Sequence, residues 1–157
     1  MSSMGNITLV NGPVVKAENM ESFKMREMVL VGEKKLIGEI ISIDSGNATI
    51  QVYEETAGLK AGEAVYPTGK PLSVKLGPGI IGNIFDGIER PLLDIYDKGT
   101  SYIPEGLGLS SISLDKIWKV KMAVAAGDKL KPGAIFGEVQ ESTTVTHKLM
   151  VPPNMEG

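Results

Sequence analysis

Short apolar stretches separated by turn residues run through the first half of the chain, from Ile7 to Lys75. They read ITLV, VVKA, MVLV, LIGEIISI and ATIQVY, with breaks at Asn11-Gly12-Pro13, Gly32 and Asp44-Ser45-Gly46-Asn47. Short runs bounded by such turn residues are typical of β-strands, and the last break suits a tight hairpin. Regularly spaced strands favour a small closed barrel, because closure removes exposed strand edges.

Three parts of this region are less regular. The segment from Glu18 to Met28 allows at most one turn of helix, at Met20 to Phe23, before Met25 opens a strand. The sequence GLKAGEAV, from Gly58 to Val65, predicts a loop and a short edge strand that runs into a proline. A half-buried strand is expected where apolar and polar residues alternate, at Leu72, Val74 and Leu76.

A stretch rich in glycine and proline follows, with Gly77, Pro78, Gly79, Gly82, Gly87 and Pro91 as the residues we expect to have structural roles. Gly77 and Gly79 are expected to shape the backbone path rather than to bind a ligand. Because proline is favoured at the first position of a helix, a short helix is predicted over Pro91 to Tyr96. Asp86 and Arg90 are four residues apart, which indicates a local ion pair, of little weight if exposed, rather than a catalytic pair.

A second β-rich module is predicted from about Ser110 to the end of the chain. The run IWKVKMAV reads as a strand with Trp118, Val120, Met122 and Val124 on one face, and GDKLKPGAIFGEV carries turns at its glycines. These features indicate a half-sandwich of short hairpins, with Trp118 as the expected core anchor. The predicted fold class is therefore mainly β, with helix confined to short turns.

Composition narrows the possible chemistry. The chain has 157 residues, 42% of them hydrophobic, which is enough for a modest core. The net charge is −3 with scattered Lys and Arg, so no nucleic-acid partner is indicated. No cysteine and one histidine, His147, argue against disulfides, metal sites and a Ser-His-Asp relay. We interpret His147 as a packing or surface residue, and the adjacent Glu54 and Glu55 as solvated charges rather than an acid–base pair.

Two long blocks carry a family resemblance: ATIQVYEETAGLKAGEAV from Ala48 to Val65, and GKPLSVKLGPGIIGNIFDGIERPL from Gly69 to Leu92. In this order they closely resemble the catalytic A subunit of V-type and archaeal A-type rotary ATPases, in the part that precedes the nucleotide-binding core. The resemblance extends from GNITLVNGPVVKAENM near the start to HKLMVPPNMEG at the end. It implies an N-terminal fragment of that subunit.

The resemblance also implies a division of the chain. Residues 1–3 are expected to be a leader outside the family pattern, and residues 4–76 an N-terminal β-barrel. Residues 77–109 are expected to form a glycine-rich connection with a short helix. Residues 110–157 correspond to the insertion, or bulge, that distinguishes the A subunit, and we expect this module to be truncated.

Function follows from the same resemblance. A phosphate-binding Walker A loop has the form G-x-x-x-x-G-K-[ST], and no such string occurs. The one Gly-Lys pair, Gly69 and Lys70, is followed by Pro71, which supplies neither a backbone donor nor a hydroxyl. We therefore expect no catalytic, cofactor-binding or metal-binding residues in this chain, and an inactive scaffold when it is alone. Mg-ATP would bind the intact subunit, which couples ATP hydrolysis or synthesis to proton or sodium transport.

The implied partners are the B subunit and other A subunits in a hexameric head, together with peripheral stalk subunits. The implied location is cytoplasmic, peripheral to the membrane and without membrane insertion, in keeping with the absence of a signal sequence or a long apolar run.

A carrier module is the alternative, because GDKLKPGAIFGEV is similar to the lipoyl and biotinyl carrier fold, in which a lysine at a hairpin tip is modified. Lys121 is predicted in mid-strand without the methionine that precedes a biotin lysine, and Lys129 and Lys131 flank a leucine in an ordinary turn. A small-ligand-binding β module belongs to the same alternative.

Overall fold

The computed structural model describes residues 4–97, 106 and 110–157. The chain divides into two compact units, of which the first comprises Met1–Val74 with Asp94–Leu109. The second comprises Lys75–Leu93 with Ser110–Gly157. The glycine-rich stretch from Lys75 onwards therefore groups with the C-terminal part of the chain.

The first unit is a closed antiparallel barrel, as the strand spacing predicted. Its strands are β1 Gly5–Asn11, β2 Val14–Glu18, β3 Glu27–Val31, β4 Leu36–Asp44, β5 Asn47–Val52 and β6 Ala64–Pro71. Their spatial order is β1-β2-β5-β4-β3-β6, and pairing of Gly5 with Val65 closes the ring. Every strand therefore has two neighbours along at least part of its length, although β1 and β6 pair over two residues each.

Alternation along the strands builds the barrel core. In β5, Ala48, Ile50 and Val52 are buried, while Thr49 and Gln51 between them are half-buried. The same pattern in the other strands creates one cluster, composed of Ile7, Val15, Ala17, Met20, Phe23, Val29, Val31, Leu36, Ile40, Ala48, Ile50, Val52 and Val65. Burial of these side chains is the main source of barrel stability.

The tight hairpin predicted between β4 and β5 is confirmed. Asp44 pairs with Asn47, and the two residues between them, Ser45 and Gly46, have φ angles of 48° and 81°. Positive φ at both central positions is the geometry of a type I′ turn, whose twist matches that of the adjoining strands.

Two expectations around β6 are wrong. The segment at Val65 is not an edge strand, because Val65 pairs with β1 on one side and with β3 on the other. Further along β6, Pro67 pairs with β3 alone. Proline is tolerated there because β6 has no second ladder to donate to at that position. The strand expected at Leu72 to Leu76 is also absent. Pairing with β3 ends at Pro71, so the alternating residues beyond it have no sheet to lie on and are exposed.

Helix is as scarce as predicted in the described residues. Met20 to Phe23 forms a hydrogen-bonded turn and not a helical turn, with Phe23 N donating to Met20 O at 3.1 Å. Both side chains are buried, so the turn closes over the barrel core. The short helix α1, Leu92–Asp97, begins one residue after Pro91 and is six residues long.

The second unit contains a three-stranded antiparallel sheet, β7 Val120–Met122, β8 Ile135–Gln140 and β9 Thr146–Met150, with β8 in the middle. The long strand expected from Ile117 to Val124 is thus reduced to three exposed residues. β7 is an edge strand that pairs with β8 alone, so its side chains are not covered. The buried apolar residue of this sheet is Val139, which lies in the central strand β8. Trp118, the expected core anchor, is half-buried just before β7.

Candidate functional site

Five carboxylates each accept hydrogen bonds from two backbone N–H groups. We call them carboxylate clamps, and they are Glu27, Glu54, Glu63, Asp86 and Glu141. Hydrogen bonds to an ionised carboxylate are stronger than those between neutral groups. The clamps therefore fix turns and loops, and at Ile37 and Gly69 they also hold residues of β4 and β6.

Glu141 holds the glycine-rich turn of the second unit. Its Oε1 accepts N–H bonds from Gly79 at 2.7 Å and Ile81 at 2.9 Å, and its side chain is 3% exposed. Oε2 has no hydrogen-bond partner among the described residues and lies 3.5 Å from Nδ1 of His147. Burial alone would raise the pKa of Glu141, but the two backbone N–H groups and His147 outweigh it and lower the pKa.

The turn itself requires a glycine at position 79. Gly79 has a φ of 102°, a region that L-residues rarely adopt, and a Cβ there would lie 3.4 Å from Cζ2 of Trp118. The Lys116 ammonium lies 4.2 Å from the centroid of the Trp118 ring, within the range of a cation–π contact. Among the other expected structural residues, Gly77 is buried, Pro78 is half-buried and Gly82 is exposed.

The predicted ion pair between Asp86 and Arg90 is confirmed, with Arg90 Nε 2.6 Å from Asp86 Oδ2. The pair is mostly shielded from solvent, because the Arg90 side chain is 12% exposed and the Asp86 side chain is 17% exposed. Burial would raise the pKa of Asp86, but N–H bonds from Arg90 and Ile88 and the Arg90 guanidinium lower it overall. Gly87 lies exposed within this loop, and the buried Pro91 forms a bridge with Phe85.

The interpretation of Glu54 as a solvated charge is wrong. Its Oε1 accepts the Ile37 N–H and its Oε2 accepts the Gly106 N–H, both at 2.9 Å. Because β5 ends at Val52, strand alternation does not set the direction of Glu54, and its carboxylate reaches two segments distant in sequence. Glu55 is exposed and accepts a longer bond from Ala57 N at 3.2 Å.

The Gly69-Lys70 pair lies at the end of β6. The Gly69 N–H donates to Glu27 Oε1 at 2.8 Å, and the Lys24 N–H donates to Glu27 Oε2 at 2.9 Å. Glu27 is 4% exposed, so the clamp is internal to the barrel wall. In this structure a carboxylate therefore engages the backbone donor of the Gly-Lys pair.

The described part of the chain meets the requirements of neither a metal-binding site nor a membrane-spanning helix. Within residues 4–97, 106 and 110–157, no group of three or more His, Cys, Asp or Glu side chains is placed to hold a metal ion. Over the same ranges, no helix has the length and apolar character needed to cross a membrane.

Family comparisons identify both units. Residues 7–69 match the family described as "ATP synthase alpha/beta family, beta-barrel domain". Residues 109–157 match the family described as the barrel-sandwich domain of the ATP synthase alpha/beta subunits. The first match takes in most of the closed barrel, and the second takes in the three-stranded sheet.

Individual relatives agree with the family matches. The chain is 58% identical over 156 residues to V-type ATP synthase alpha chain 2 of Clostridium tetani, covering 99% of this chain and 26% of that protein. It is 49% identical over 156 residues to the catalytic A subunit of the V-type proton ATPase of Cyanidium caldarium, covering 98% and 27%. The A subunit of the A-type ATP synthase of Methanosphaera stadtmanae is 46% identical over 153 residues, with 98% and 26% covered.

The chain thus spans about a quarter of the length of these relatives. None of the matches supports the carrier alternative, and Lys121 lies inside β7, away from a hairpin tip. Because both of its units match domains of one family and its relatives are V-type and A-type subunits, the chain belongs to the ATP synthase alpha/beta family and corresponds to the barrel and barrel-sandwich part of the A subunit.

Proposed function

We propose that this chain is the assembly scaffold of the catalytic A subunit of a V-type or A-type ATP synthase. The observation that carries the proposal is the similarity over 98% or more of the chain to subunits of that name. In the intact subunit, ATP hydrolysis or synthesis with Mg²⁺ is coupled to proton or sodium transport, and the scaffold part supplies contacts between subunits.

The closed barrel suits this role. Most of the barrel strands are paired on both sides, so few backbone groups are available to a neighbouring strand and contacts with other subunits would use mainly side chains on the outer surface. We assign to it contacts with the B subunit and other A subunits in a hexameric head, on the cytoplasmic side of the membrane. The second unit would contact the peripheral stalk.

Assembly is tested by competition. Excess folded chain, added while the A and B subunits of the same organism are reconstituted, should lower the yield of the hexameric head measured by light scattering. A chain with Ile50→Asp, which places a charge in the barrel core, should have no effect because the barrel would not fold. An unchanged yield with the folded chain would overturn the assembly role.

Nucleotide binding provides a second test. The 157 residues contain no Walker A string, so Mg-ATP would bind elsewhere in the intact subunit. We expect calorimetric titration of the chain with Mg-ATP to show no saturable heat, and we expect no phosphate release. Saturable binding at a defined site would contradict this prediction.

A further inference from the structure

Two adjoining cavities lie along the barrel wall where β3 and β6 pair. One has a volume of about 290 Å³ and the other about 390 Å³. Both are lined by Lys24, Glu27 and Gly69, so they form one open depression, which we call the β3–β6 groove. Three cationic residues, Lys24, Arg26 and Lys70, contribute to it, and its apolar lining includes Met25, Pro67 and Pro71.

Of the described residues that line the groove, no carboxylate pairs with a lysine ammonium group. Glu27, the carboxylate of the lining, is 4% exposed and is occupied by the N–H groups of Lys24 and Gly69. Among the described residues, no carboxylate is within salt-bridge distance of the Lys24 or Lys70 ammonium. The groove thus presents free ammonium groups on a chain whose net charge is −3.

The Arg26 side chain is oriented by an ion pair with Glu39 and remains exposed to solvent. Its Nη1 lies 3.6 Å from Glu39 Oε1, and the Arg26 side chain is 83% exposed. Glu39 also accepts the Tyr53 hydroxyl at 2.5 Å, and this bond, together with burial and the charge of Glu39, raises the pKa of Tyr53. Tyr53 and Glu39 therefore steady the guanidinium while leaving it open to a further carboxylate.

The shape and chemistry of the groove favour a protein segment over a small anion. Small anions are usually held by converging backbone N–H groups, and here Glu27 already occupies those of Lys24 and Gly69. Met25, Pro67 and Pro71 instead add apolar contact surface beside the cations. Carboxylates flanked by apolar side chains match both properties.

We propose that the β3–β6 groove is a docking surface for an acidic segment of a partner protein, whose carboxylates pair with Lys24, Arg26 and Lys70. The inference deepens the proposed function and rests on it, because the partner would be another subunit of the same assembly. Exposed charge pairs of this kind mainly set partner choice and association rate, so the contact should weaken with salt.

The test uses a short peptide of alternating Glu and Leu, with its Gln-Leu counterpart as control. Titrated into the isotope-labelled chain at low salt, the Glu peptide should shift the amide resonances of the groove residues, and the Gln peptide should not. Lys24→Glu with Lys70→Glu should lower the affinity about tenfold or more. Lys16→Glu with Lys60→Glu, an equal charge change at two exposed positions outside the groove, should leave the affinity unchanged.

Three results would overturn the proposal: equal shifts with both peptides, shifts outside the groove, or an equal loss of affinity in the Lys16→Glu with Lys60→Glu control. Inorganic phosphate that saturates at the same residues and competes with the peptide would identify a small-anion site instead. If the double charge reversal does not fold, Lys24→Gln with Lys70→Gln provides the same comparison. The titration does not involve the B subunit, so its failure and failure of the assembly experiment are distinguishable.

Discussion

Glu54 accepts N–H groups from Ile37 and Gly106, which lie 17 and 52 residues away in the chain. A side chain in this position looks like one of many surface glutamates, since neither donor is near it in sequence. The cost of removing such a group is set by the donors left without a partner, because a buried N–H that loses its acceptor also lacks water.

Replacing Glu54 with Gln should destabilise the chain by about 1–3 kcal/mol, because the amide nitrogen presents a donor to one of the two N–H groups. Thermal and denaturant unfolding would measure the loss. Glu55→Gln is the matched control, with an expected change within about 0.5 kcal/mol for an exposed residue. Equal, negligible effects of both changes would restore the solvated interpretation of Glu54.

A second prediction at the residue scale concerns the positive φ of Gly79. Gly79→Ala forces an alanine to a φ of 102°, which should cost about 1–3 kcal/mol of unfolding free energy. Gly87→Ala is the control, since Gly87 is exposed, has no positive φ and has open space around its Cβ position. A Gly79→Ala protein as stable as the Gly87→Ala protein would show that the turn relaxes freely.

At the scale of elements, the stability of the second unit depends on one side chain, that of Glu141, more than the stability of the barrel depends on any of its clamps. Its sheet has three strands, and β7 has three residues. The Glu141 clamp joins the segment after β8 to the turn at Gly79 and Ile81, across about 60 residues of sequence. A small sheet with few buried apolar residues gains proportionally more from such a tie than a closed barrel.

Two changes at Glu141 separate its hydrogen bonds from its charge. Glu141→Ala removes the acceptor of both N–H groups and should cost about 1.5–3 kcal/mol. Glu141→Gln keeps one oxygen that can accept both, so its loss should be less than half as large. Hydrogen exchange at the Gly79 and Ile81 amides gives a local reading, and it should accelerate strongly in the Ala variant alone. Equal acceleration in both variants would assign the effect to charge.

For the whole molecule, the clamps predict a pH dependence. Asp86 and Glu141 both have lowered pKa values in the folded chain. The unfolded chain then binds protons first as the pH falls, so the stabilisation is present above about pH 4.5, the ordinary pKa of a glutamate. It is lost as the pH falls through the lower folded values.

Unfolding free energy measured from neutral to acidic pH should therefore decline below about pH 4.5. The decline should be shallower in Glu141→Gln and in Asp86→Asn, because each variant lacks one titrating clamp. Glu55→Gln should follow the parent curve. Parallel curves for all variants would mean that neither buried carboxylate contributes to acid sensitivity.

Much of the barrel could be predicted from local pattern. In β5, alternation of Ala48, Ile50 and Val52 specifies which face is buried, and the Asp44 to Asn47 turn specifies the hairpin. The same local pattern failed at Leu72 to Leu76, where the alternation is present but no neighbouring strand is available. Alternation reports a preference for a sheet, and pairing partners decide whether it forms.

By itself, then, the sequence determined the mainly β class, the closed barrel, the tight hairpin, the short helix after Pro91 and the family. The tertiary structure decided the length of β7, the partners of β6 and the carboxylate clamps of Glu54 and Glu141. It also decided that Lys75–Leu93 packs with the C-terminal half. The physical reason is distance along the chain: strand alternation and turn geometry act between neighbours, whereas a glutamate such as Glu141 meets its N–H donors only after the chain has folded.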